Sequence, residues 1–276
     1  MAIDLHIHSV YSDGSYTPTD IIAMSNNLGL TAISITDHDS IEAYDNIDLK
    51  KSGLMIIPGI EITTHSPFEV HILGYFVDTS SVKLKEEISK NNLKRQRDML
   101  TLAYDLYHKN YIKLSPVNIS RKYGRVNINQ LYSEISQKDK CITVTDFYHE
   151  KELLNNSIIG ISPEDAMKQV KKYGGFASLA HPNRLYNNAQ MDKESISNYI
   201  LSLKEYGLKA IECYHESFLE SDIKFYTGFA ENNNLLISGG SDFHGDKKPN
   251  VDIGIGRGNL NIPDYVIDNL LQKRSI

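Results

Sequence analysis

Apolar and polar side chains alternate along residues 2–8: Ile3, Leu5 and Ile7 fall on one face of a strand, and Asp4, His6 and His8 on the other. Amphipathic helical stretches follow short apolar runs from there on. TPTDIIAMSNNLG reads as a helix with Thr17 as cap, Pro18 in the first turn and Gly29 as its stop. TAISIT is a strand, followed by DHDS and a helix near residues 41–52. LMIIPGIEIT and EVHILGYFV are strands, and about residues 82–110 form a long helix. SPEDAMKQVKKYGG is a helix capped by Ser162, started by Pro163 and stopped by Gly174, and it leads into the strand FASLAHP. Residues 193–207 read as helix, KAIECY as strand, 219–233 as helix, LLISGGSDFHG as strand and loop, and IPDYVIDNLLQKR as a closing helix.

Strands alternating with helices predict an α/β fold with a parallel sheet, and six or seven such units predict a closed or nearly closed barrel. The site of such a barrel lies at the C-terminal ends of its strands. The Tyr-, Lys- and Asn-rich stretch 111–160 breaks the rhythm and reads as an inserted, mainly helical lobe. The expected division is a barrel of residues 1–100 and 161–276 around an inserted lobe of about 101–160.

With 276 residues, 41% hydrophobic and 23% charged, the chain is long enough for a substantial core and ordinary in composition. No apolar run is long enough to span a membrane, and Met1 leads straight into the first strand, which predicts no signal peptide. Cys141 and Cys213 offer no disulfide framework, so a cytoplasmic location is expected. A net charge of −6 shows no basic excess for holding long nucleic acids.

The ten histidines change the picture through their placement. The first strand ends in His6 and His8, with Asp13 in the following loop. Later strand ends carry Asp37, His38 and Asp39, then Glu61, His71, His181, and finally Asp242 and His244. A lone histidine at a strand end is usually a hydrogen-bonded structural residue, and an aspartate there is usually a helix cap. Glu61 within an apolar run is harder to explain, because a buried glutamate needs a positive partner. Agreement across so many strand ends predicts metal ligands. His65, in a loop after a strand, His108, His149 and His215 are all expected to take surface or supporting roles, with His215, after IECY, the one that could reach the mouth.

The blocks DLHIHSVYSDGS, ITDHDS, PGIEIT, HILGY, LAHP, IECY and GGSDFHG resemble those of the PHP family, the polymerase and histidinol phosphatase domains, from near residue 1 to about residue 245. The resemblance implies a distorted, TIM-like (βα)7 barrel with three divalent metal ions at its mouth. Carried over, His6, His8, Glu61 and Asp242 would hold the first ion, Asp13, His38 and His181 the second, and Glu61, His71 and His244 the third. A metal-bridging hydroxide held by Glu61, Asp242 and His8 would be the nucleophile. Mixed imidazole and carboxylate ligands suit manganese, the favoured ion, or iron or zinc.

Within the family the chain is most similar to phosphatases of AMP and of 3′,5′-nucleoside bisphosphates, which carry a lobe in the same place. Their G-R-P-H is Gly124-Arg125-Val126-Asn127 here, so the arginine matches and the histidine does not. The expected reaction is hydrolysis of a phosphate monoester of a small nucleotide, with Arg125 and Arg184 on the phosphate. Arg125 is equally readable as a solvated loop residue. Tyr107, Tyr111, Tyr123, Tyr132 and Tyr148, in or beside the lobe, could stack on a base or pack the lobe itself. Competing readings are a 5′→3′ exonuclease on short RNA or DNA, histidinol-phosphate phosphatase, and a non-catalytic scaffold.

Overall fold

The computed structural model describes residues 2–45, 47, 53–65, 68–123, 128–138 and 159–274. Arg125, Cys141, Tyr148 and His149 lie outside them. The described fold is mixed α/β, with two sheets. The first joins β1 (Ala2–Ile7), β2 (Leu30–Ile35) and β3 (Met55–Ile56) in parallel. The second has the order β4 (Gly59–His65), β5 (Glu69–Tyr75), β6 (Phe176–Leu179), β7 (Ala210–His215) and β8 (Leu236–Gly240).

Both faces of β1 are buried. Ile3, Leu5 and Ile7 enter the apolar core, while Asp4, His6 and His8, equally shielded from solvent, face the polar interior at the strand ends. The sheets meet there. Beyond β8 the chain runs beside β1, with the Asp242 N–H donating to His6 O at 2.8 Å and the His8 N–H to Phe243 O at 2.9 Å. Beyond β2 it runs beside β4, with the Asp39 N–H donating to Glu61 O at 2.8 Å. Every one of these links carries a sequence-predicted site residue or its neighbour.

The all-parallel expectation fails at β4, β5 and β6, where both pairings are antiparallel. Only residues 66–68 separate β4 from β5, too few for the crossover a parallel pair needs. LMIIPGIEIT also divides into β3 and β4 at Pro58, which cannot donate to a ladder. The helix expected near 41–52 is a single 3₁₀ turn, Glu42–Tyr44, among the described residues of that range.

Helix α1 (Pro18–Asn27) has the expected Thr17 cap, completed by the Asp20 side chain, and Gly29 beyond its end has φ +70°. Helix α2 (Val82–His108) is capped by Ser81. Its first turns send Leu84 and Ile88 into the main core. Its last turns place Met99, Leu102, Ala103 and Leu106, at i, i+3, i+4 and i+7, in a second core. Ile112, Ile119 of α3 (Pro116–Tyr123), Leu131 and Ile135 of α4 (Ile128–Lys138), and Ile159 join that core. The Ser162-capped α5 (Pro163–Lys172) returns the chain to β6. Then follow α6 (Arg184–Asn188), α7 (Lys193–Glu205), α8 (Glu220–Asn232) and α9 (Tyr265–Arg274).

Candidate metal centre

Glu61, on β4 and fully buried, is the hub. Its Oε1 lies 2.9 Å from His71 Nδ1 and 3.1 Å from His181 Nε2. Its Oε2 lies 3.1 Å from His6 Nε2, 3.1 Å from His8 Nε2 and 3.2 Å from His38 Nδ1. Asp242 faces the same group with one oxygen: Oδ1 is 3.3 Å from His8 Nε2 and 3.5 Å from His6 Nε2. A carboxylate has room for about four hydrogen-bond donors, so five ring nitrogens crowd Glu61.

The tautomers sharpen the point. His6 Nδ1 donates to Glu212 Oε1 at 2.9 Å, so in the neutral ring Nε2 carries a lone pair aimed at Glu61. His244 Nδ1 donates to Asp242 O at 2.8 Å, which likewise leaves Nε2 free to face Asp13 Oδ1 at 3.2 Å. Lone pair against lone pair is repulsive unless a cation or a proton lies between. Buried His8 Nε2 and His38 Nδ1 have no hydrogen-bond partner. Among the described residues four groups have all their ligand atoms within 4.8 Å of one another: His6, His8, Glu61 and Asp242; His8, Asp13, His38 and His244; His38, Glu61 and His71; and His215, Glu216 and Asp242. This donor set fits divalent ions that accept nitrogen and oxygen ligands.

Protonation follows the same geometry. Burial pulls His8 down, but Asp242 and Glu61 outweigh it and raise the ring to about 9. His71, buried between Glu61 and Glu69, is likewise raised to about 9. Burial, reinforced by the neighbouring His8 and His71, lowers His38 to about 3. Burial pushes Glu61, Asp13 and Asp242 up, yet the surrounding imidazoles hold all three below the usual carboxylate range.

The structure brings together His6, His8, Asp13, His38, Glu61, His71, His181, Asp242 and His244, and it corrects their grouping. His244 stands beside Asp13, and His181 beside His71 on Glu61, so these two histidines exchange the partners expected from the resemblance. The cause is strand order. His181 follows β6, which pairs with the β5 that carries His71, whereas His244 follows β8, whose extension lies against β1. His181 and Asp242 have φ of +28° and +54°, conformations that cost free energy for non-glycine residues and here aim ligands into the centre.

Arg184 is where a phosphate-binding residue is expected, but it already holds Asp242 Oδ2 at 2.8 Å. Lys248, which sequence reasoning missed, reaches the same oxygen at 3.0 Å. His215 lies 3.4 Å from it and is almost fully buried, not a surface residue. Glu212 was also missed. It accepts from His6 and, at 2.7 Å, from the His181 N–H, and its signal was the one that marked Glu61, a glutamate inside an apolar strand. Asp37 ties down the loop after β1 through Ser9 and Ser12, both at 2.6 Å from the hydroxyls. Asp39 pairs with Arg95 of α2 at 3.0 Å. His65, read as a loop residue, ends β4 and is buried, whereas His108 is exposed.

A cavity of about 890 Å³ opens over the centre, with Asp13, His38, His71, Asp242 and His244 among its walls.

An α/β scaffold that gathers such a cluster beneath an open cavity fits a metal-dependent hydrolase. The chain belongs to the PHP family, since the PHP domain matches residues 4–230. It is 26% identical to the phosphoribosyl 1,2-cyclic phosphate 1,2-diphosphodiesterase of Eggerthella lenta, over 89% of this chain and 95% of that protein. It is 26% identical to the 5′-3′ exoribonuclease Rnm of Salmonella typhimurium, over 87% and 84%. It is also 26% identical to the 3′,5′-nucleoside bisphosphate phosphatase of Chromobacterium violaceum, over 91% and 90%. The fold is similar to a crystal structure of a metal-dependent phosphoesterase from Bifidobacterium adolescentis, with TM-score 0.68 and 22% identity over 98% of this chain and 96% of that one. No described helix is long and apolar enough to cross a membrane.

Proposed function

We propose that this protein hydrolyses a phosphate monoester of a small nucleotide, in the cytoplasm, with three divalent ions of which manganese is the favoured one. The observation that carries the reading is the cluster around Glu61 at the floor of a cavity of about 890 Å³, the size class of small-molecule sites. His6, His8, Glu61 and Asp242 would hold one ion, Asp13, His38 and His244 a second, and Glu61, His71 and His181 a third. Bound there, such ions supply Lewis acidity toward phosphoryl oxygens and lower the pKa of water toward neutrality.

The chain's own groups orient and neutralise. Glu61 offers one oxygen to the His71–His181 side and the other to the His6–His8–His38 side, which suits a bridging role. Glu212 keeps the His6 proton on Nδ1 and leaves Nε2 as the ligand atom. Arg184 and Lys248 stand on the cavity wall with their charge partly spent on Asp242 Oδ2, and a phosphate at the centre would share those donors. Arg125, outside the described residues, is proposed as a further phosphate ligand contributed by the lobe.

We read the two sheets as sides of one distorted (βα)7 barrel, a reading supported by their hydrogen-bonded junctions at the mouth. The second core supports the division into a barrel of 1–100 and 161–276 and an inserted lobe of 101–160.

The test is turnover, with added manganese, of nucleoside mono- and bisphosphates, sugar phosphates, a cyclic phosphodiester and short 5′-phosphorylated RNA. Release of inorganic phosphate from small nucleotides in preference to the rest supports the reading. Preferential degradation of RNA would replace it with the exonuclease reading, and no turnover of any substrate would overturn it.

A further inference from the structure

The cavity is far larger than a phosphate and its metal site require, and its walls differ in chemistry. They include the ionic cluster with Arg184 and Lys248. Helix α2 contributes Ile88, Leu93, Gln96 and Met99 together with polar Lys85, Ser89, Asn92 and Arg95. Tyr11 is the only tyrosine, phenylalanine or tryptophan on these walls among the described residues, and it lies two residues before Asp13. It is 38% exposed, and so open to contact from the cavity.

Its backbone is firmly held. The Tyr11 N–H donates to Ser9 Oγ at 3.2 Å, and the Val10 N–H to Tyr16 O at 2.9 Å. Buried Asp37 grips the Ser9 and Ser12 hydroxyls on either side. The loop thus presents a pre-ordered aromatic face beside the metal ligands, at little further conformational cost on binding. Of the five candidate lobe tyrosines, the two with described side chains do not take this place: Tyr107 is exposed away from the cavity walls and Tyr111 packs on the second core. The side chains of Tyr123 and Tyr132, like Tyr148, lie outside the described residues.

We propose that Tyr11 is the stacking platform for the nucleobase of the substrate, with the Leu93–Gln96 stretch of α2 as the neighbouring wall of the same subsite. This rests on the nucleotide reading above and adds to it the residue that distinguishes a nucleotide from other phosphate esters. A planar, π-faced group attached to a phosphate is the ligand that matches an exposed ring next to a cationic pocket. Such a group could come from a mononucleotide or from the terminal residue of an oligonucleotide.

The test compares wild type, Tyr11→Ala, Tyr11→Phe and Leu93→Ser on adenosine 5′-monophosphate, ribose 5-phosphate and a short 5′-phosphorylated RNA. Tyr11→Ala should raise KM for adenosine 5′-monophosphate on the order of 10-fold or more, leave kcat and the KM for ribose 5-phosphate nearly unchanged, and be rescued by Tyr11→Phe. Leu93→Ser should shift KM in the same direction by less. A loss seen only with RNA assigns the subsite to an oligonucleotide end. An unchanged KM for both base-containing substrates overturns the proposal, and so does a parallel rise for ribose 5-phosphate. If wild type turns over none of the three, the activity proposed above fails, and equilibrium dialysis then decides the stacking. Tyr11→Ala must still weaken binding of adenosine 5′-monophosphate and not of ribose 5-phosphate.

Discussion

Glu212, buried in β7, holds the Nδ1 proton of His6 at 2.9 Å and so settles which nitrogen of that ring faces Glu61 and Asp242. A carboxylate behind a ligating imidazole sets its tautomer, its orientation and its basicity. Glu212→Gln should therefore weaken metal binding by about 10- to 100-fold with little change in fold. Competition against a chromogenic chelator measures this, and an unaltered affinity would remove Glu212 from the site.

Asp242 divides its oxygens, with Oδ1 toward His6 and His8 and Oδ2 held by Arg184 and Lys248, while buried His215 Nε2 lies 3.4 Å from Oδ2. Lys248→Met should lower kcat/KM about 10-fold, the scale of one hydrogen bond to a charged group. Asp242→Asn and His8→Ala should each bring turnover below detection with an unchanged circular dichroism spectrum. Normal activity in either would refute the site.

With the metal ions removed by chelation, protons take their places. His8 and His71 are raised from 6.5 to about 9 by the carboxylates that outweigh their burial. A raised imidazole stabilises the fold in full below the unfolded value near 6.5, and that contribution disappears as pH rises through about 9. The Tm of the chelated protein should fall across this window. Metal-loaded protein, whose rings are already deprotonated, should show a much flatter profile. A chelated protein with constant Tm from pH 6.5 to 9 would contradict the proton-for-metal exchange.

Gly240 closes the seam between β8 and β1, where an added Cβ would meet His6 Cβ at 2.3 Å and His6 N at 2.4 Å. The obstacle includes backbone, which cannot turn aside as a side chain can. Gly240→Ala should destabilise by about 1–3 kcal/mol, the usual cost of overpacking, or more. It should also loosen metal binding, because His6 rides on the displaced strand. Urea denaturation measures the first effect, and metal content after gel filtration the second.

Much of the centre could be read from the chain itself. Period-2 alternation put His6 and His8 on one face, and the polar residues at successive strand ends included all nine metal-site candidates, which the family resemblance then separated from Asp37 and Asp39. The Thr17 and Ser162 caps were equally local, because a cap depends only on the few residues around it. Glu212 carried the same mark as Glu61, an acid in an apolar strand, yet its partner was 206 residues away.

What the sequence determined by itself is local: which residues alternate, where helices start and stop, and which side chains could bind metal. Tertiary structure alone decided the order of strands. It set His181 beside His71 and His244 beside Asp13, and placed Tyr11 on the cavity wall. Periodicity records the direction a side chain takes from its own backbone. Which distant strand lies alongside depends on packing across the whole core, and no short stretch of chain contains it.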